Sequence, residues 1–341
     1  MKRVGVLTGG GDCPGLNAVI RGVVLRAAKN GMNVVGFRRG WLGLLDGGQV
    51  TLLSLDDVEE IHSLGGTIIG TSRTDPFATP DGPDQVRRNL EHHKCVGLVV
   101  VGGEKTLSAA YRLYRQGLPI VGVPKTIDNN VAATDFTFGF VTGANTAAEA
   151  LDRLMTTAKS QGRVLVVQVM GHNSGWLALY AAMAGGAHQV YIPEKAFDVN
   201  QVCEKVTRRF ADGSDFSLIV VAEGARPTNA AALGLVESAP GEGNGDGIAK
   251  ALARLITERT GHDARHVDLG TLQRGGSATA FDRVLGLRMG VKAAEMVQAG
   301  QFGMMTGLNG TQIVAMPLEQ AVETPKRVSQ DFYREAAEFM D

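Results

Sequence analysis

The chain has 341 residues, is 44% hydrophobic and 20% charged, and carries a formal net charge of -1. That length exceeds one ordinary domain and suits two α/β lobes, and the composition is that of a globular protein. So small a net charge gives no general attraction for nucleic acid or an anionic membrane, so any anion site must be built locally from Arg, Lys and backbone amides.

In chain order, short β-branched runs alternate with amphipathic stretches. A strand over 4–8 is followed by a helix over 16–30, a strand over 33–37, and helices over 55–63 and 84–93. Strands over 96–101 and 119–123 enclose a helix over 106–115, and a long helix covers 142–160. Next come a strand over 164–169, a helix over 174–184, a strand over 189–192, a helix over 200–211 and a strand over 218–222. Helices over 247–260 and 281–299 complete the pattern. The strands are nearly continuous apolar runs, as a parallel sheet covered on both faces requires. The alternation predicts a doubly wound α/β fold in two lobes with a cleft between them. The Gly-, Ala-, Pro- and Asn-rich stretch 226–246 reads as a surface excursion.

The three cysteines, Cys13, Cys95 and Cys203, are far apart and odd in number, so they read as reduced thiols in the cytoplasm. The first residues run straight into a strand without the apolar core of a signal peptide, and no apolar stretch reaches the ~20 residues of a membrane span.

Four loops fall at the carboxyl ends of predicted strands, where open α/β sheets bind ligands. The first, Thr8-Gly9-Gly10-Gly11-Asp12-Cys13-Pro14-Gly15, offers bare amides and a helix N-terminus to a phosphate. Lacking GxGxxG spacing and a Walker lysine, it reads equally as a tight turn. The second is Gly102-Gly103-Glu104-Lys105-Thr106. A carboxylate among phosphate-seeking amides makes sense if Glu104 holds Mg²⁺; otherwise it is an acid favouring the helix dipole. In the third, Pro124-Lys125-Thr126-Ile127-Asp128-Asn129-Asn130, Asp128 is either a proton acceptor or ordinary turn chemistry. The fourth, Leu272-Gln273-Arg274-Gly275-Gly276, with Arg265 upstream, suits bidentate phosphate binding or a solvated loop.

Taken together and in this order, LTGGGDCPGLNAVIRGVV, GGTIIGTSR, VGGEKTL, VPKTIDNN, VMGHNSGWLAL, AEGA and LQRGGSATAFDRVL resemble the 6-phosphofructokinase family over nearly the whole chain. The resemblance is closest to the short actinobacterial type. It implies two Rossmann-like lobes with mostly parallel sheets and the active site in the interlobe cleft. Residues 1–140 plus 274–304 would form the phosphoryl-donor lobe, 141–273 plus 305–326 the sugar-phosphate lobe, and 327–341 a C-terminal helix. It also implies Mg²⁺-dependent transfer of a phosphoryl group from pyrophosphate or ATP to the 1-hydroxyl of fructose 6-phosphate or a related ketose phosphate. Asp128 would be the general base, with Thr126, Gly11 and Arg73 around the transferred group. Gly10, Gly103, Glu104, Lys105, Thr106 and Lys125 would complete the donor site, with Glu104 the metal-associated acid. Met170, Gly171, His172, Glu223, Thr271 and Arg274 would line the sugar site. Arg163 and Arg265 would grip the 6-phosphate in a neighbouring subunit's site, which implies a homo-oligomer, a dimer or a tetramer.

The sequence departs from the family pattern at several of these positions. Asn130 replaces a second Asp, which weakens metal binding. Lys105 stands where ATP users carry a small Gly and pyrophosphate users an Asp; with Lys125 it tilts the expectation towards pyrophosphate. His172 and Thr271 replace a usual Arg and His and point to an altered acceptor, a heptulose or epimeric hexulose phosphate. With Lys105 and Asn130 they also suit a catalytically silent sugar-phosphate-binding protein, although retention of Asp128 argues against that. Asp268 is an acid where an apolar strand residue is usual. Leu25 and Met155 replace effector-site arginines, leaving Arg21, and 212–215 lacks basic residues, so regulation by nucleotide or phosphoenolpyruvate is not expected.

Overall fold

A computed structural model describes residues 2–45, 47–233 and 247–340; within the excursion expected over 226–246, residues 234–246 lie outside the described residues. The chain runs β1 (Arg3–Thr8), α1 (Leu16–Lys29), β2 (Asn33–Phe37), α2 (Trp41–Leu45), β3 (Val50–Leu53), α3 (Gly82–His92), β4 (Cys95–Gly102), α4 (Glu104–Arg115), β5 (Ile120–Thr126) and β6 (Phe138–Gly139). It continues through α5 (Phe140–Gln161), β7 (Val164–Val169), α6 (Trp176–Ala184), β8 (Gln189–Tyr191), α7 (Val199–Ala211), β9 (Ser217–Ala222), α8 (Ile248–Thr260) and β10 (Ala264–Asp268). It ends with α9 (Ala280–Gln298), β11 (Met304–Asn309), β12 (Gln312–Pro317), α10 (Leu318–Glu323) and α11 (Gln330–Ala337). No described helix is long and apolar enough to cross a membrane.

The chain divides into two units, Met1–Thr142 with Arg274–Lys326, and Gly143–Gln273 with Arg327–Asp341. The first holds an eight-stranded sheet in the order β12-β11-β5-β4-β1-β2-β3, with β6 pairing β5. β3 and β12 run antiparallel to their neighbours. The interior strands β1, β4 and β5 are almost wholly buried, which explains their unbroken apolar runs. Leu7, Phe37, Leu98, Val100, Leu107 and Ile120 meet in one core. α1 and α9 approach so closely that a Cβ on Gly22 would lie 3.0 Å from the Val291 amide nitrogen.

The second unit holds a four-stranded parallel sheet in the order β10-β7-β9-β8. Its core gathers Val164, Val166, Leu218, Val220, Leu252 and Ile256. α11 packs on α6 through Phe332, whose ring centroid lies 5.3 Å from that of Trp176.

Residues 305–326 depart from the expected division. β11 pairs with β5 and β12 with β11, so this stretch belongs to the first unit and not to the second. The helix expected over 55–63 is two short 3₁₀ turns, Asp56–Val58 and Ile61–Ser63. Arg21 Nη1 donates to the carbonyl oxygens of Val58, at 2.5 Å, and Glu59, which therefore do not serve a continuing helix.

Candidate active site

In the first unit, the end of β1 turns into α1 through the glycine loop. Gly9 N–H donates to Val101 O (2.9 Å), and Gly10 N–H to Ser72 O (2.8 Å). Thr71 Oγ1 donates in return to Gly10 O (2.7 Å), so the loop is stitched to the segment that carries exposed Arg73. Lys125 Nζ donates to Gly11 O from beneath. Burial holds the Lys125 amine below its ordinary range, with Arg274 adding to the effect, while Asp128 and Asp12 oppose it. Burial also pushes the neighbouring Cys13 thiol far up, so it stays protonated and inert.

Arg274 lies directly over Gly11: a Cβ there would run into its guanidinium group. Arg274 Nε is buried with no hydrogen-bond partner among the described residues. The sequence grouped Arg274 with the sugar-facing residues; here it stands in the first unit against the glycine loop. Thr106 is buried under that loop, its Cγ2 2.7 Å from where a Gly9 Cβ would be, so it supports the loop from below. Gly103 caps α4, and Glu104 and Lys105 open the helix as exposed side chains.

The third loop grows from β5. Asp128 N–H donates to Thr126 Oγ1 (3.0 Å), which sets the two side by side. Asn129 adopts a left-handed conformation (φ 50°). Its Oδ1 accepts from Thr137 N–H (3.1 Å), while Thr137 Oγ1 donates to Thr126 O (2.7 Å). Lys326 N–H donates to Asn130 O (2.9 Å), and Lys326 Nζ to Thr134 O (3.2 Å), holding the downstream arm of the loop. Sequence reasoning missed Thr137 and Lys326: neither lies within the quoted motifs, and their roles depend on loop closure.

Among the described residues no group of three or more His, Cys, Asp or Glu is placed to hold a metal ion. Glu104, the acid expected to hold Mg²⁺, is exposed at the head of α4.

In the second unit, β7 ends in Met170, Gly171 and His172. His172 has a positive φ of 52°, and its N–H donates to Glu223 Oε1 (2.8 Å). Glu223 follows β9 and donates its own N–H to Val169 O (2.9 Å). Asp268, the unexpected acid of β10, accepts from Gln168 Nε2 (2.9 Å) and from Gly270 N–H (2.8 Å), pinning the turn that carries exposed Thr271. These residues all sit at the carboxyl ends of β7, β9 and β10.

Arg163 and Arg265 sit at the other end. Asp263 holds both, 3.4 Å from Arg163 Nη2 and 3.0 Å from Arg265 Nε. β7 and β10 pair in register from Val164–Ala264 to Gln168–Asp268. At ~3.3 Å per residue, roughly 20 Å of strand separates the two arginines from Met170 and His172 of the same unit. Asp263 was not singled out in the sequence, because a lone acid before a strand carries no motif.

The family model described as Phosphofructokinase matches residues 3–297. The chain is 50% identical over 338 residues to the ATP-dependent 6-phosphofructokinase 3 of Streptomyces coelicolor, covering 98% of each. It is 49% identical over 340 residues to the pyrophosphate–fructose 6-phosphate 1-phosphotransferase of Amycolatopsis methanolica, covering 99% of each. Among solved structures, a phosphofructokinase from Saccharomyces cerevisiae superposes with a TM-score of 0.83 at 32% identity, over 95% of this chain and 45% of the yeast chain. The glycine loop, the Thr126–Asp128 turn and the Arg274 segment all fall inside the matched span, and the chain belongs to the phosphofructokinase family.

Proposed function

We propose that this protein transfers a phosphoryl group from pyrophosphate or ATP to the 1-hydroxyl of fructose 6-phosphate or a closely related ketose phosphate. The observation that carries the reading is the end of β5, where Thr126 and Asp128 stand bonded together in the unit that holds the braced glycine loop and Arg274. The sugar oxygen attacks the terminal phosphorus, its proton passes to the Asp128 carboxylate, and the bond to the leaving phosphate breaks. Gly11 N–H, Arg73 and Arg274 neutralise charge on the phosphoryl group, in keeping with chemistry that is mostly positioning and electrostatics. Mg²⁺ bound with the donor offsets phosphate charge, and Glu104 would hold it.

Relatives of near-equal identity are named for ATP and for pyrophosphate, so overall likeness does not set the donor. Lys125 is buried on the Gly11 carbonyl, which leaves the preference for pyrophosphate resting on exposed Lys105 at the head of α4. A cation there crowds a nucleoside and attracts a compact, highly charged leaving group. The separation of Arg163 and Arg265 from Met170, His172 and Glu223 supports their serving a neighbouring subunit's site, and hence a homo-oligomer. Three free thiols suit a reducing, cytoplasmic setting.

The test is bisphosphate formation from fructose 6-phosphate and Mg²⁺ with pyrophosphate or ATP in parallel. The expected result is turnover, with kcat/KM higher for pyrophosphate. A preference for ATP would overturn the donor assignment alone. Absence of transfer from either donor to this or any related ketose phosphate would overturn the function.

A further inference from the structure

Asp282 stands at the third position of α9 and is fully buried. Among the described residues it makes no ion pair. A buried, unpaired carboxylate is costly, and an apolar residue at that position of a core helix carries no such penalty. Its contacts explain what holds it there. Asp282 Oδ2 accepts from Thr142 N–H (2.7 Å) and Thr142 Oγ1–H (2.6 Å), while its buried Oδ1 has no hydrogen-bond partner among the described residues. Thr279 N–H donates to Thr142 Oγ1 (3.0 Å), so the start of α9 and the start of α5 are laced together.

α5 begins at Phe140, so the Thr142 amide is one of the helix's unsatisfied N-terminal donors, and the carboxylate lies at the positive end of its dipole. Directly before α5, β6 pairs with the end of β5, Phe138 opposite Lys125 and Gly139 opposite Thr126. The Asp282 carbonyl oxygen also lies 3.3 Å from where a Cβ of Gly15 would be, at the end of the glycine loop. The Asp282 side chain thus joins the start of α9 to the start of α5, which follows directly on the β6 strand paired with the end of β5.

We propose that Asp282 is a positioning residue for phosphoryl transfer, capping α5 from another helix and thereby fixing β6 against the end of β5 that carries Thr126 and leads to Asp128. The inference rests on the reading of Thr126 and Asp128 as catalytic. Its carboxylate touches neither substrate nor the reacting atoms; it acts through Thr142. Burial raises its pKa, while the bonds from Thr142 pull the other way.

The test compares wild type with Asp282→Ala, Asp282→Asn and Thr142→Val. In Asp282→Ala, kcat is expected to fall by at least tenfold with KM for both substrates within about threefold of wild type. Asp282→Asn keeps an acceptor oxygen for the Thr142 amide and should recover most of that loss. Thr142→Val, which retains the carboxylate, should lower kcat several-fold with unchanged KM and covers the case in which Asp282→Ala does not fold. Wild-type kcat in a folded Asp282→Ala, or in Thr142→Val if the former does not fold, would overturn the inference, as would a loss confined to KM. Amide hydrogen exchange separates this failure from that of the functional reading. If the wild type itself transfers no phosphate, the cap still predicts a protected Thr142 amide that becomes fast in Asp282→Ala, and equal rates in both proteins would refute it.

Discussion

Gly11 and Arg274 are 263 positions apart in sequence, yet the guanidinium occupies the space a Gly11 side chain would need. That is a reason for glycine independent of backbone freedom: the loop must admit an arginine and still present its amide to an anion. Gly11→Ala is therefore expected to displace Arg274, raise the donor KM about tenfold or more and leave sugar-phosphate binding nearly unchanged, as steady-state kinetics would register. An unaltered donor KM would mean that the contact has no part in donor binding. Gly11, Thr126, Asp128 and Glu104 were legible in the sequence because each lies in a polar or glycine-rich break after an apolar run. Asp282 was not. An acid in the first turn of a helix ordinarily faces water, and only tertiary packing shows this one to be buried.

At the scale of elements, the sequence was most informative where a strand is buried on both faces. β1, β4, β7 and β9 read as apolar runs because water reaches neither side. β10 carries exposed Arg265, His266 and Asp268, so it forms no such run. The lobe expected for 305–326 came from the family resemblance, whereas the pairing of β11 with β5 and of β12 with β11 sets this stretch in the first unit. The stretch 55–63 failed for a different reason. Ser54 N–H donates to Asp57 Oδ2 (2.8 Å), a helix-start signal, but Arg21 takes up carbonyls that the next turn would need. The same contact commits Arg21 within its own chain.

At the scale of the whole molecule, each unit has its own sheet and core, and the residues assigned to chemistry divide between them: the glycine loop, Thr126, Asp128 and Arg274 in the first, and Met170, His172, Glu223, Arg163 and Arg265 in the second. If the two arginines serve a neighbouring subunit, Asp128→Asn and Arg265→Ala should each be inactive alone yet recover activity when dissociated and reassembled together, since a mixed oligomer contains sites with neither defect. A mixture as inactive as its components would place Arg265 in its own subunit's site. Both expectations depend on Asp128 as the base, and the most direct measurement is kcat of Asp128→Asn beside the affinity of the same preparation for fructose 6-phosphate. The account predicts a fall in kcat of about 10²–10⁴-fold with affinity retained, the range a positioned general base supplies. A variant that keeps wild-type kcat would contradict it.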